Sequence, residues 1–224
     1  MQSSDSCLQL KQQILACHLC QAELPLPAKP IVQFSQHSKI LIAGQAPGLK
    51  AHEKDAPFHD PSGKRLRDWL GVTEDQFYDD QLFAILPIGF CFPGTVIRNG
   101  KKSGDKPPMP LCAKTWRADV LKELNQIELI IILGQYAIDY HLTKSHINQS
   151  HLAKSHLVKS HSTNTQPKKL SVTDAVMNWQ EYWPQKMVLP HPSPRNNIWI
   201  KRHPQFEIEI LPILKQRIAD IIRS

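Results

Sequence analysis

The chain has 224 residues, 41% of them hydrophobic, which is the length and composition of one soluble globular domain able to bury its own core. No apolar run approaches the roughly 20 residues that cross a bilayer, and the opening segment MQSSDSCLQLKQQILACHL is too interrupted by Asp5, Lys11 and glutamines to resemble a secretory signal, so a cytoplasmic protein with no membrane partner is expected. The net charge of +7 is unevenly spread, because residues 141–169 hold five lysines and no acid and leave only +2 elsewhere; bulk charge therefore does not by itself argue for nucleic acid.

In chain order, a helix is expected at Gln9–Leu15, followed by Cys17 and Cys20. The run KILIA, Lys39–Ala43, reads as a strand that ends in GQAPG. A helix over Lys64–Leu70 precedes a second strand, Leu82–Ile88, which ends in GFCFPG. A helix over Ala113–Leu124 leads to the strand LIIIL, Leu129–Leu133, which is followed by GQYA. After a helix at Val172–Tyr182, a fourth strand at Met187–Leu189 ends in HPSPRN, and Ile208, Leu211, Leu214, Ile218, Ile221 and Ile222 recur at helical spacing near the C-terminus. Apolar strands with almost no polar alternation, separated by crossover helices, indicate an α/β fold: three layers, α/β/α, around a short, mostly parallel four-stranded central sheet. Ligands of such sheets sit beyond the carboxyl ends of the strands, where these four loops fall.

The segment 141–165 reads HLTKS HINQS HLAKS HLVKS HSTNT, with His141, His146, His151, His156 and His161 five residues apart. Five residues rotate by about 140° on a helix and alternate faces on a strand, so neither structure aligns the histidines. The segment is expected to be a basic surface insertion in a single domain spanning 1–224, with metal capture as the competing reading.

HPSPRN can hardly be helical: each X-Pro step pushes its predecessor toward extended backbone and removes an amide donor, giving a stiff loop that carries His191, Ser193, Arg195 and Asn196. Cys17 and Cys20 form a C-x2-C pair, and Cys91 and Cys112 lie downstream with 20 residues between them. Without an export signal disulfides are not expected, and four thiolates suit tetrahedral zinc or an iron–sulfur cluster, against the plain alternative of buried free cysteines. Basic clusters at Lys64, Arg65 and Arg67, at Arg98, Lys101, Lys102 and Lys106, and at Arg195, Lys201 and Arg202 could each meet phosphates.

Taken in order, these motifs resemble the uracil-DNA glycosylase superfamily, and within it the branch that carries an iron–sulfur cluster, often called family 4. The resemblance runs from Cys17 to about Phe206 and leaves out the histidine repeat. It rests on the C-x2-C pair, on a first strand ending in the G-[EQ]-x-P-G loop (Gly44, Gln45, Ala46, Pro47, Gly48), on Pro57 and Phe58 before Ser62, Gly63 and Leu66, on Cys91 after the second strand and Cys112 before a helix, and on HPSPRN. The resemblance implies DNA containing a damaged or deaminated base as partner, a [4Fe–4S] cluster on Cys17, Cys20, Cys91 and Cys112 with zinc as the alternative, and a monomer. It implies that the base leaves the stack and is held against Phe58 by the first loop and Ser193. His191 would donate to the departing base, helped by the backbone amides of Gln45 to Gly48, while Pro194, Arg195 and Asn196 would meet the duplex, Arg195 as a wedge.

Two positions depart from the pattern. Ala46 stands where many relatives carry the group that positions the attacking water, so the carboxylate must come from elsewhere; Glu53, Asp55 and Asp60 lie nearby, and Asp60 is carried forward with His191 and Gln45 as a catalytic candidate. Pro87 stands four residues before Cys91, where relatives read the uracil edge with an asparagine amide. The chain could read a different base, use a backbone group of Ile88 or Gly89, or bind nucleic acid without cleaving it. A zinc-bearing α/β hydrolase with His191 as base competes from another class, but no G-x-S-x-G elbow is present.

Overall fold

The computed structural model describes residues 3–142 and 169–224. The pentapeptide repeat, apart from His141 and Leu142, lies outside the described residues, and so does any reading of it as a surface insertion or metal site.

Four strands form the central sheet: β1 (Ile40–Ala43), β2 (Phe83–Ile85), β5 (Leu129–Leu133) and β6 (Lys186–Leu189), ordered β2-β1-β5-β6. Every pairing is parallel, with Ile42 opposite Ile85 on one side and Ile131 on the other, and Leu133 opposite Leu189. All residues of β1, β2 and β5 are buried, and successive side chains point to opposite faces, so both faces are covered and three layers result. Each Ile or Leu fully withdrawn from water in such a core contributes about 1.5–3 kcal/mol.

The helices are α1 (Ser3–Leu15), α2 (Leu49–Lys54), α3 (Pro61–Leu70), α4 (Glu74–Tyr78), α5 (Pro110–Cys112), α6 (Ala118–Glu123), α7 (Gln135–His141), α8 (Val172–Met177), α9 (Asn197–Arg202) and α10 (Leu211–Arg223). A wide π-helical turn, Ala113–Arg117, joins α5 to α6, and another, Phe206–Ile210, leads into α10, so two helices expected to be regular carry an extra residue per turn. The second strand ends at Ile85, before Pro87, which has no amide to give to a ladder. After β5, Gly134, at φ 77°, turns the chain directly into α7, so GQYA opens a helix at the carboxyl end of the strand.

A two-stranded antiparallel hairpin, β3 (Thr95–Arg98) and β4 (Lys101–Asp105), stands apart from the central sheet. Its two-residue turn, Asn99-Gly100, has φ of 49° and 70°, the doubly positive geometry that matches strand twist.

Candidate active site and cysteine cavity

Gly44 follows β1, and a Cβ there would lie 3.7 Å from the tip of the Phe58 ring. Phe58 is half-buried, edge-on to Phe77 at 6.1 Å, and has φ of 54°. That left-handed conformation costs a non-glycine residue about 1–3 kcal/mol and persists only where its surroundings enforce it. Two contacts do so. The Tyr78 hydroxyl donates to the Pro57 carbonyl at 2.9 Å, and Gly63 packs so tightly beneath Phe58 that a Cβ would fall 1.6 Å from the Phe58 oxygen.

Asp60 caps α3. Its Oδ1 accepts from the Gly63 amide at 2.9 Å and from the Ser62 hydroxyl at 2.5 Å, while Pro61 occupies the first helical position, where its missing N–H costs nothing. From the same helix, Arg65 Nη1 reaches across to the Ser193 carbonyl at 3.3 Å and to Asn197 Oδ1 at 2.8 Å. Beyond HPSPRN the chain is anchored by Trp199, whose indole donates to Thr173 Oγ1 at 2.8 Å and whose ring stacks on His203 at 4.3 Å. The loop is therefore held from α3, from β6 and from α9.

Within it, Asn196 Nδ2 donates to the His191 carbonyl at 2.7 Å, and Ser193 caps the turn Pro194–Asn196 by accepting from the Arg195 amide. The Ser193 amide donates to His191 Nδ1 at 3.3 Å. An Nδ1 that accepts leaves the neutral imidazole with its proton on Nε2. Burial pushes the His191 pKa below the usual imidazole range; Asp60 opposes that shift and Arg195 reinforces it.

The hairpin closes against these loops. Gln45 Nε2 donates to the Lys106 carbonyl at 3.0 Å, and Arg195 Nη1 donates to the Ser103 carbonyl at 3.0 Å. Gly104, at φ 136°, makes room for the guanidinium, since a Cβ there would meet Arg195 Nη1 at 2.8 Å. Asp105 Oδ2 lies 3.5 Å from the position a Gly48 Cβ would take. Asp105 is exposed as a residue, but partial desolvation of its carboxyl lifts its pKa above the usual range, with Arg195 opposing and Asp60 adding to the shift.

At the end of β2, the Ile88 amide donates to the Gly44 carbonyl at 2.9 Å and the Gly89 amide to the Gln45 carbonyl at 3.0 Å. Both donors expected to be available to a base are thus spent on the first loop. The Leu86 and Pro87 carbonyls accept from Arg117 Nη1 at 2.9 and 2.8 Å. Arg117 is fully buried, lies over the Tyr140 ring at 4.8 Å, and places Nη2 2.6 Å from His141 Nε2. Burial lowers its pKa to about 10. His141, expected in the surface repeat, is instead a buried residue at the end of α7.

The sequence profile of the uracil DNA glycosylase superfamily matches residues 31–215. The chain belongs to the uracil DNA glycosylase superfamily. It is also similar to a solution NMR structure of a proposed uracil DNA glycosylase from Methanosarcina acetivorans, at 14% identity over 82% of this chain and 93% of that one, with a TM-score of 0.43.

In this superfamily member, Cys17, Cys20, Cys91 and Cys112 line one cavity together with Leu24, Phe90, Leu111 and Trp116, while Cys7 is buried elsewhere, in the hydrophobic core. Trp116 Nε1 lies 3.4 Å from Cys17 Sγ, and the Phe90 amide 3.3 Å from Cys112 Sγ, so two N–H donors face the sulfurs. Burial first, and then the neighbouring cysteines, push the Cys91 thiol up to about 11 and the Cys112 thiol to about 12. Among the described residues, no group of three or more His, Cys, Asp or Glu side chains closes on a single-ion site. Four sulfurs line an apolar cavity, two of them already met by N–H donors, and thiolates are ligands that both zinc and iron–sulfur clusters take.

Gln45, Phe58, Asp60, His191 and Arg195 all come to the carboxyl-end side of the sheet, with Gly44, Ala46, Pro47 and Gly48 in the loop between them. Asp105 and Arg117 were missed by sequence reasoning, and Arg65, expected in a phosphate-meeting cluster, instead braces the HPSPRN loop. The Asn99-Gly100 dipeptide was the one signal for the hairpin that presents Asp105; a buried arginine such as Arg117 reads from sequence as an ordinary surface charge. Among the described residues, no helix is long and apolar enough to cross a membrane.

Proposed function

We propose that this superfamily member is a DNA glycosylase of the uracil type, which hydrolyses the N-glycosidic bond of a flipped damaged or deaminated base and leaves an abasic site in base excision repair. One observation carries the reading: the Ser193 amide occupies His191 Nδ1 and so leaves Nε2–H as the ring's donor. The departing base takes up negative charge, and a donor fixed in advance in a partly desolvated site stabilises that charge where it forms; removing one such donor costs about 10²–10³ in rate.

The other groups supply binding. Phe58 offers a ring for an extruded base, Gln45 and the first loop bound it, and Arg195, with Pro194 and Asn196, faces the duplex that the base has left. Uracil is the first base to test. Pro87 and the committed amides of Ile88 and Gly89 favour a second reading, in which the base carries a different hydrogen-bonding edge or is bound without being cleaved. Cys17, Cys20, Cys91 and Cys112, which line one cavity, would hold a [4Fe–4S] cluster, with zinc as the alternative. The cluster would supply a rigid tie between the N-terminal pair and the 91–112 segment.

Incubation with end-labelled oligonucleotides containing uracil, hypoxanthine, xanthine or mismatches, followed by alkali, reads base release directly. Strand scission at one modified base supports the proposal, and binding without scission across the panel favours the non-cleaving reading. Iron content and a brown colour after anaerobic purification test the cluster.

A further inference from the structure

Ala46 leaves the first loop without a group to activate water, and the nearby carboxylates differ sharply in what they are free to do. Asp60 is engaged as the cap of α3. Asp55 sits at the C-terminal end of α2 and pairs with Lys29 at 3.5 Å, and Glu53 lies on the same helix, exposed as Asp105 is. Asp105 makes no side-chain hydrogen bond or ion pair with the described residues. It nevertheless sits on β4, paired with Thr95 and next to Lys106, whose carbonyl is tied to Gln45, and its Oδ2 faces Gly48.

We infer that Asp105 is the general base that activates the attacking water, an assignment that rests on the glycosylase reading. The water oxygen forms a bond to C1′ of the sugar as the C1′–N bond breaks. The water proton passes to the Asp105 carboxylate, and the bonding pair leaves with the base, whose charge the His191 Nε2–H meets. The hairpin thus contributes to the site the carboxylate that the first loop lacks. The charged groups facing Asp105 are Arg195 and Asp60; partial desolvation, aided by Asp60 and opposed by Arg195, keeps its proton affinity above the usual aspartate range, as suits a base.

The test is single-turnover base release from single-stranded oligonucleotides carrying uracil, hypoxanthine or xanthine. Asp105→Asn should lower the rate by about 10²–10⁴-fold without weakening oligonucleotide binding. Asp105→Glu should retain an intermediate rate, and formate should restore part of the activity of Asp105→Ala, which a merely structural role would not allow. The wild-type rate should rise with pH through the raised Asp105 pKa, and Asp105→Asn should lose that dependence. Asparagine imitates the protonated form that partial desolvation favours, so an unchanged melting temperature should accompany the loss. An active wild type whose Asp105→Asn variant keeps its rate overturns the assignment alone. A wild type that releases none of these bases sinks the glycosylase reading, and the assignment with it.

Discussion

At the carboxyl ends of the strands, ionisable groups are set against one another: His191 and Asp105 each sense both Asp60 and Arg195, with opposite signs. In the cysteine cavity nothing of that kind occurs. Burial dominates at Cys91 and Cys112, and the charges that each senses are other thiols, which push in the same direction. A polar site balanced by its own charges can act with the protein alone. Desolvated thiols stay protonated at neutral pH, and a cation would be needed to ionise them, whereas the polar site already holds charges of both signs.

The largest effect should appear when that contrast is probed by thiol chemistry. Without a metal, Cys112 near pKa 12 presents about a thousandfold less thiolate at neutral pH than an ordinary cysteine, and alkylation should be correspondingly slow, speeding up as pH rises. Iodoacetamide labelling of metal-free protein, read by mass spectrometry, checks this. Rapid labelling of Cys112 at pH 7 would mean that the cavity holds a positive group of its own.

On the polar side, His191→Ala should slow base release by about 10²–10³ and leave DNA binding nearly intact, because the donor acts on charge that develops only in the transition state. Equal losses in binding and cleavage would favour the non-cleaving reading. The pH dependence has a definite sign. Since the folded His191 pKa is lowered, the neutral Nε2–H form persists below the ordinary value of about 6.5, and the second proton goes onto the Nδ1 that the Ser193 amide occupies. The unfolded chain takes up that proton first, so this histidine's contribution to stability falls away as pH drops below about 6.5.

Gly63→Ala should cost about 1–3 kcal/mol, because its Cβ collides with the Phe58 carbonyl and must displace either the start of α3 or the left-handed turn at Phe58. Base release should fall by more than the melting temperature suggests if the turn gives way. A variant with normal activity would show that the position of Phe58 is not needed.

The central sheet was legible because β1, β2 and β5 are buried on both faces and so carry unbroken apolar runs. The hairpin was not, since Lys101, Lys102, Ser103 and Gly104 show no alternation and resemble a basic loop; only its turn dipeptide gives it away. For the same reason Asp60 drew attention from sequence while Asp105 did not. Proximity along the chain brought Asp60 to the first loop, where it caps a helix, whereas Asp105 arrives through a fold-back that no local pattern announces. His141 was misassigned because the five-residue period begins on it, although its neighbours Tyr140 and Arg117 hold it in the core.

The smallest effect separates Arg195 from its neighbours. Its guanidinium is already docked on the Ser103 carbonyl against Gly104, so entering a duplex means giving up that hydrogen bond, worth about 0.5–1.5 kcal/mol net. The exchange is favourable only where an extruded base leaves a gap to fill. Arg195→Ala should therefore reduce activity on paired substrates several-fold while leaving single strands almost unaffected, since these need no wedge. Loss of the Ser103 contact should also loosen the hairpin, which faster amide exchange at Gly104 and Asp105 would report. Equal losses on paired and single strands would place Arg195 among the groups that hold the hairpin over the site, and would transfer the filling of the gap to another part of the HPSPRN loop.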